Sequence, residues 1–146
     1  WMDDAIPLRH HVLGRFEAAA AETDPAVRRR LLTFTVVGGG PTGVEFSGAL
    51  AELIHGPLLR DFPRISPSEV AVVLLEGMDQ VLQGMDPPLA EYAADRLERR
   101  HVEVRLDTLV EEVRADAVVL ADGSVLPTET VGFPWPAPAG CRSRRS

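Results

Sequence analysis

The sequence contains no lysine, since all 15 of its basic residues are arginine. Phosphate-loop nucleotide-binding proteins, Schiff-base enzymes and short-chain dehydrogenases each use a lysine at the site of chemistry, so these classes are excluded. There is one cysteine, Cys141. A single cysteine excludes an intramolecular disulfide and a Cys-x-x-Cys redox pair.

The sequence also lacks an excess of positive charge and a long apolar run. Its net charge of −7 argues against a nucleic-acid partner, because phosphate binding needs a basic surface. No apolar stretch approaches the length of a transmembrane helix, and no signal peptide is visible, so we expect a cytoplasmic location. No metal site is expected, since the adjacent His10 and His11 point in different directions on a helix.

The most informative stretch covers residues 31–48, where an apolar, β-branched run ends at a glycine-rich turn. Gly38, Gly40 and Gly43 have the G-x-G-x-x-G spacing of a dinucleotide-binding turn. The first glycine allows the tight turn, the second lets a pyrophosphate approach the backbone, and the third lets the helix pack closely on the strand. The alternative is a strand-to-helix turn that is merely rich in glycine.

The helix that follows this turn begins with Pro41 and Thr42. Proline is tolerated in the first turn, where its missing N–H costs little, and a threonine hydroxyl can contact a phosphate. The free N–H groups and the positive dipole end of the helix would face the same phosphates. The pattern therefore favours a nucleotide pyrophosphate site.

A second apolar run, residues 70–75, ends at Glu76. An acidic residue at this position is the expected partner of the adenosine ribose hydroxyls. Because a carboxylate repels a 2′-phosphate, Glu76 favours NAD over NADP. The alternative is an ordinary carboxylate at a strand end.

These patterns predict an α/β protein with a Rossmann-like three-layer domain: a parallel sheet with helices, and a small antiparallel β-meander. We expect entry helices in residues 1–32, the NAD(H)-binding domain in 33–131 and an irregular, disordered tail in 132–146. The proline-rich segment 56–67 is predicted to break the helix that starts at Pro41. The predicted strands are 33–37, 70–75 and 102–106, followed by the meander pieces 108–113, 117–120 and 124–126.

Arg28, Arg29 and Arg30 form a run of three arginines. Such a run can bind phosphate, but it is more often a solvated helix face, which is the interpretation we favour here.

The segment Leu-Leu-Thr-Phe-Thr-Val-Val-Gly-Gly-Gly-Pro-Thr-Gly-Val-Glu-Phe-Ser-Gly-Ala-Leu-Ala-Glu-Leu resembles the NADH-binding segment of type II (non-proton-pumping) NADH dehydrogenases. These belong to the wider group of FAD- and NAD-dependent pyridine nucleotide-disulfide oxidoreductases. The segments Asp61-Phe62-Pro63, Val72-x-Leu74-x-Glu76-Gly77 and Leu120-x-Asp122-Gly123 keep the order of that family. The resemblance covers about residues 3–131.

The resemblance implies an oxidoreductase in which NADH passes a hydride to FAD and the flavin reduces a quinone. It assigns no catalytic side chain to this sequence, and it places Glu45 near the junction of nicotinamide and flavin and Glu76 on the adenosine ribose. The residues that it places on the pyrophosphate are Gly38, Gly40, Pro41, Thr42 and Gly43.

In this family the FAD domain is split around the NAD domain, and this sequence has no second glycine fingerprint. We therefore expect a fragment that binds NADH without FAD, is catalytically incomplete, and either needs an FAD-domain partner or self-associates. The resemblance implies a peripheral location at the inner face of the membrane for full-length relatives. The alternatives are a non-catalytic remnant, an NAD-binding module that needs a partner, and the NAD domain of another flavoprotein reductase of the group.

Overall fold

The computed structural model describes the backbone of residues 5–132 and 142–143, and the side chains of residues 8–132. Helices and strands alternate through most of this part of the chain. The helices are α1 (Ala5–Ala21), α2 (Pro25–Leu31), α3 (Pro41–Leu53), α4 (Leu59–Asp61) and α5 (Pro87–Arg99), with a π-helix (Ile54–Leu58) between α3 and α4 and a 3-10 helix (Pro67–Glu69) before the second strand.

The strands of the described residues form two four-stranded sheets. The first has the order β3-β2-β1-β7 and is parallel throughout, and the second has the order β6-β5-β4-β8. The strands are β1 (Thr33–Val37), β2 (Ala71–Leu75), β3 (Val102–Arg105), β4 (Val110–Val113), β5 (Ala117–Leu120), β6 (Val125–Pro127), β7 (Thr130–Gly132) and β8 (Arg142–Ser143).

The parallel sheet lies between the helices and the second sheet, which gives the predicted three layers. β1 is buried along its whole length, as a strand covered on both faces should be. Phe34 and Val36 pack among the helices, where Phe34 stacks on Phe16 of α1 with ring centroids 5.9 Å apart. On the other face, Val73 and Leu75 of β2 pack against β5. The α/β fold class and the antiparallel meander are therefore confirmed.

The predicted break at residues 56–67 is wrong for its first half. The helix continues past Leu53 through the π-helix, which contains Pro57, and ends at Asp61. Proline donates no backbone hydrogen bond in either kind of helix, but a π-turn bonds residues five apart and so departs from the α-helical geometry in which the proline ring clashes with the carbonyl four residues earlier. The buried side chains of Ile54 and Leu58 hold this turn against the core.

A second correction concerns β7, because Gly132 had been taken as the start of the irregular tail. β7 instead extends the parallel sheet, with Phe34 opposite Thr130 and Val36 opposite Gly132. This position favours glycine, because a β-carbon on Gly132 would clash with the Phe46 ring of α3 at a distance of 2.8 Å. Thr128 fixes the entry to the strand, since its hydroxyl donates to the Thr33 carbonyl at 2.6 Å.

Most of the predicted disordered tail lies outside the described residues. The exception is β8, whose residues Arg142 and Ser143 pair in parallel with Glu112 and Val113 of β4.

The arginine run is not a uniformly solvated face, so our preferred interpretation of it is wrong. The Arg28 guanidinium donates to Glu69 at 2.7 Å and to the carbonyls of Ala19 and Arg64. It thereby ties α1 and α2 to the segment before β2, and the hydrogen bond to Glu69 raises the pKa of Arg28. The Nε atom of Arg30 lies 3.6 Å from a carboxylate oxygen of Glu129. Of the three arginines in the run, Arg29 is therefore the one without an ionic partner among the described residues.

Two histidines meet where the π-helix approaches the start of β3. The rings of His55 and His101 have centroids 4.7 Å apart and planes inclined by 37°. The Nε2 atom of His55 is buried and has no hydrogen-bond partner within residues 8–132. Burial, and secondarily the nearby charge of His101, lower the pKa of His55.

This contact predicts a loss of stability in mild acid. Because the pKa of His55 is lower in the folded chain, the unfolded chain takes up this proton first as the pH falls through about 6.5. Between pH 7.5 and 5.5, we expect the free energy of unfolding to fall less for His55→Gln than for the unmodified chain. The difference should be a fraction of roughly 1.4 kcal/mol per pH unit, which is the slope that uptake of one full proton gives. Urea unfolding at the two pH values measures this. His10→Gln, on an exposed side chain of α1, is the control, and an equal effect of both variants would contradict the prediction.

Candidate functional site

The candidate site lies where the glycine-rich turn leaves the carboxyl end of β1. Gly38 has a φ of 109°, a left-handed conformation that glycine adopts without steric cost. Its N–H donates to the carbonyl of Leu75, the last residue of β2, at 2.8 Å. The turn is therefore fixed at the carboxyl edge of the sheet, where open α/β sheets bind their ligands.

Gly43 brings α3 into direct contact with this turn. A β-carbon on Gly43 would lie 1.8 Å from the carbonyl oxygen of Gly38, a separation that no side chain can occupy. The carbonyl of Gly43 accepts a hydrogen bond from the buried Ser47 hydroxyl at 2.7 Å. The close packing predicted for the third glycine of the fingerprint is thus present in the fold.

The start of α3 is open toward solvent. Gly40 is the N-cap, and a β-carbon placed on it would meet nothing within 4 Å. No side chain within residues 8–132 caps the helix, its first turn holds no acidic residue, and Pro41 and Thr42 are exposed. The N–H groups of this turn and the positive end of the helix dipole are consequently available to an anionic group.

Glu76 is joined to the turn through the glycine between the first two fingerprint positions. Its carboxylate accepts the N–H of Gly39 at 2.5 Å through Oε2 and the N–H of Met78 at 3.1 Å through Oε1. The carbonyl of the same glycine accepts a hydrogen bond from the Leu82 N–H at 2.7 Å. Because each carboxylate oxygen has two acceptor sites, the half-buried Glu76 keeps capacity for ligand hydroxyls.

The loop after β3 completes this edge of the site. The Thr108 N–H donates to the Glu76 carbonyl at 2.9 Å, and the Asp107 N–H donates to the Met78 carbonyl at 2.8 Å. The segments that follow β1, β2 and β3 are thus held together by hydrogen bonds. Of these segments, the glycine turn after β1 borders the position between β1 and β7 where the strand order reverses, which is the expected location of a ligand crevice.

Glu45 stands apart from this network. It lies on the exposed side of α3, one turn beyond the start of the helix, and forms no hydrogen bond or ion pair within residues 8–132. The structure therefore brings the residues of the turn together with Glu76, but it does not connect Glu45 to them.

The site contains one residue that was not predicted, namely Gly39. A β-carbon there would lie 2.8 Å from Oε2 of Glu76 and 3.2 Å from Val81, so a side chain would displace the carboxylate. The run of three consecutive glycines was the available signal, since the fingerprint itself requires only the first and third of them.

Comparison with known proteins identifies the family. The family model described as pyridine nucleotide-disulphide oxidoreductase matches residues 8–133, which include the whole parallel sheet and the glycine turn. The chain belongs to this family. The fold class and the family that the sequence predicted are therefore confirmed.

The curated relatives of the chain include two type II NADH:quinone oxidoreductases of Mycobacterium tuberculosis. NdhA is 46% identical over 121 residues, which are 83% of this chain and 26% of that protein. Ndh is 40% identical over 138 residues, which are 93% of this chain and 30% of that protein. The chain thus spans between a quarter and a third of the length of these relatives, and it resembles their type II NADH dehydrogenase class as predicted.

Among solved structures, NDH2 from Plasmodium falciparum in complex with NADH matches 90% of this chain and 28% of its own, with a TM-score of 0.81. Since the sequences are 19% identical, this likeness shows the fold alone. Within residues 5–132, no helix combines the length and the apolar character needed to cross a membrane.

Proposed function

We propose that this chain is the NADH-binding part of a FAD-dependent NADH:quinone oxidoreductase. The observation that carries the proposal is the hydrogen-bonded unit of the glycine turn and Glu76, beside an uncapped helix start. NADH, when bound, supplies a hydride. The protein contributes its position, its orientation and the surrounding charge.

The residues present fit a dinucleotide. Gly40 leaves room for the pyrophosphate, and the first turn of α3, with Pro41 and Thr42, offers N–H groups and a hydroxyl to its oxygens. Gly38 and Gly43 set the shape of this cradle.

Glu76 is proposed to accept hydrogen bonds from the adenosine ribose hydroxyls at the carboxyl end of β2. Glu45 is proposed to face the nicotinamide end, in agreement with its exposed position free of internal bonds. No residue of this chain is proposed to act in proton transfer.

The electron acceptor belongs to the whole protein rather than to this part. The two mycobacterial relatives are NADH:quinone oxidoreductases, which supports a quinone as the acceptor and FAD as the cofactor of the full-length family member. We propose that the chain works with an FAD-binding partner segment, and its cytoplasmic location stays a prediction. The alternatives are a non-catalytic remnant, an NAD-binding module that needs a partner, and the NAD domain of another flavoprotein reductase. The first two differ from this proposal in lacking catalysis by the chain itself, and the third differs in its electron acceptor.

The decisive experiment titrates NADH and FAD separately into the purified chain by calorimetry. We expect saturable binding of NADH and none of FAD. Gly40→Val should lower NADH affinity at least about tenfold, equal to about 1.4 kcal/mol, because its side chain would occupy the pyrophosphate position. Stability should be retained, since Gly40 has φ −72° and ψ −179°, which any residue adopts.

The matched control is Gly14→Val on α1, where a β-carbon also meets nothing within 4 Å. This variant should bind NADH as the unmodified chain does. Absence of saturable NADH binding would contradict the proposed function. Unchanged affinity of Gly40→Val would show that the glycine turn is not the binding site.

A further inference from the structure

A cavity lies away from the glycine turn, on the face of the parallel sheet that carries the meander. Its volume is about 250 Å³, and its walls come from α2, the first three strands and β6. We call it the arginine cavity, since Arg29, Arg30 and Arg105 line it together with Glu103. The proposed nucleotide function does not use these side chains.

The arginine cavity carries more positive than negative charge. The Arg105 guanidinium lies 3.2 Å from the Glu103 carboxylate, but Arg29 has no ionic partner among the described residues. Arg30 must share Glu129 with Arg15, at 3.6 and 3.7 Å respectively. The lining of the cavity itself therefore holds three guanidinium groups and one carboxylate, in a protein whose net charge is −7.

The ion pairs around Glu129 are also incompletely formed. The Nε atoms of Arg15 and Arg30 and one oxygen of Glu129 are buried without a hydrogen-bond partner in the described part of the chain. Glu129 lies outside the lining of the arginine cavity, and its long contact with Arg30 leaves that guanidinium only partly neutralised.

The remaining wall is apolar. Val73 of the sheet and Leu126 of β6 face the same space, with alanine and proline side chains beside them. The volume is below the roughly 300–1,000 Å³ of pockets for drug-sized ligands, so the ligand must be compact. The planar fork of arginine matches a carboxylate with two parallel hydrogen bonds.

We propose that the arginine cavity binds a compact organic carboxylate, held by its charge on the arginines and by an apolar body on Val73 and Leu126. The site is separate from the proposed NADH site, and its test does not depend on NADH binding.

Benzoate is a suitable probe, with neutral benzamide and inorganic phosphate as comparisons. Amide chemical shifts of the full 146-residue chain, followed by NMR, locate and quantify binding. For benzoate we expect saturable shifts at Thr33, Val73 and Leu126 with a Kd of about 1 mM, which corresponds to a binding free energy of roughly −4 kcal/mol. Benzamide, which lacks the charge, and phosphate, which lacks the apolar body, should bind at least about tenfold more weakly.

Arg29→Gln and Arg105→Gln should each weaken benzoate binding several-fold, while Arg99→Gln, on an exposed residue of α5, should not. Saturating NADH should leave benzoate affinity unchanged. The proposal is overturned by absence of saturable shifts, by equal binding of benzamide or phosphate, by an equal effect of Arg99→Gln, or by competition with NADH. Thermal unfolding of each variant identifies those that are folded, and a folded Arg29→Gln with undiminished binding also overturns it.

Discussion

Gly43→Ala is expected to destabilise the domain by more than about 3 kcal/mol, the upper end of the usual cost of overpacking. The added carbon would lie 1.8 Å from the Gly38 carbonyl oxygen. The oxygen belongs to the backbone and a β-carbon is fixed directly to it, so neither atom can rotate away. Relief requires α3 to move off the turn, which would break the contact that places the helix start at the nucleotide site. We therefore expect the thermal midpoint to fall by roughly 10 °C or more and NADH binding to be lost.

Gly48→Ala is the matched control for this variant. Gly48 is buried in the same helix, but a β-carbon there would meet only the flexible end of Arg100 at 3.4 Å and Leu97 at 3.7 Å, which are ordinary contacts. Replacing glycine in a helix interior should then stabilise by about 0.5–1 kcal/mol, because alanine loses less backbone entropy. Differential scanning calorimetry of the two variants separates the effects. Equal stabilities would show that the contact between Gly43 and Gly38 does not hold α3 in place.

The glycine turn could be predicted from the sequence because its requirements are local. The apolar run of β1, the positive φ of Gly38 and the proline at the start of α3 each depend on neighbours within a few residues. The same holds for the Asp24 cap of α2, whose side chain accepts the Ala26 N–H at 2.9 Å. The identity of the family followed from this stretch.

The features that were missed depend on contacts between distant segments. Pro57 remains inside a helix because a π-turn and a buried core accept it, although proline alone predicts a break. β7 forms because β1 offers an unpaired edge and Phe46 fills the space beside Gly132. The bond between Glu76 and Gly39 spans 37 positions, and no local pattern encodes such a distance.

That bond makes Glu76 the second position where a substitution should have a large effect. If it binds the ribose as proposed, Glu76→Gln removes the charge while keeping the shape of the side chain. Charge-assisted hydrogen bonds contribute about 1.5–3 kcal/mol, so NADH affinity should fall between roughly tenfold and a hundredfold. One amide oxygen can still accept the Gly39 N–H, but the NH₂ group cannot accept the Met78 N–H. A loss of about 1 kcal/mol in stability is therefore expected as well.

NADPH distinguishes the ribose role from a purely structural role of Glu76. A 2′-phosphate adds about 1.5 to 2 negative charges, and two unit charges about 4 Å apart repel by roughly 1 kcal/mol in water and 4 kcal/mol near a protein surface. Removing the carboxylate should therefore raise the affinity for NADPH relative to NADH by at least about tenfold, whereas a loosened glycine turn would weaken both nucleotides equally. Glu98→Gln, on an exposed residue in the last turn of α5, makes the same change in net charge and should leave the ratio unaltered. Calorimetry gives the ratio of the affinity for NADH to the affinity for NADPH. If this ratio were the same in Glu76→Gln and in the unmodified chain, Glu76 would support Gly39 but would not select the nucleotide.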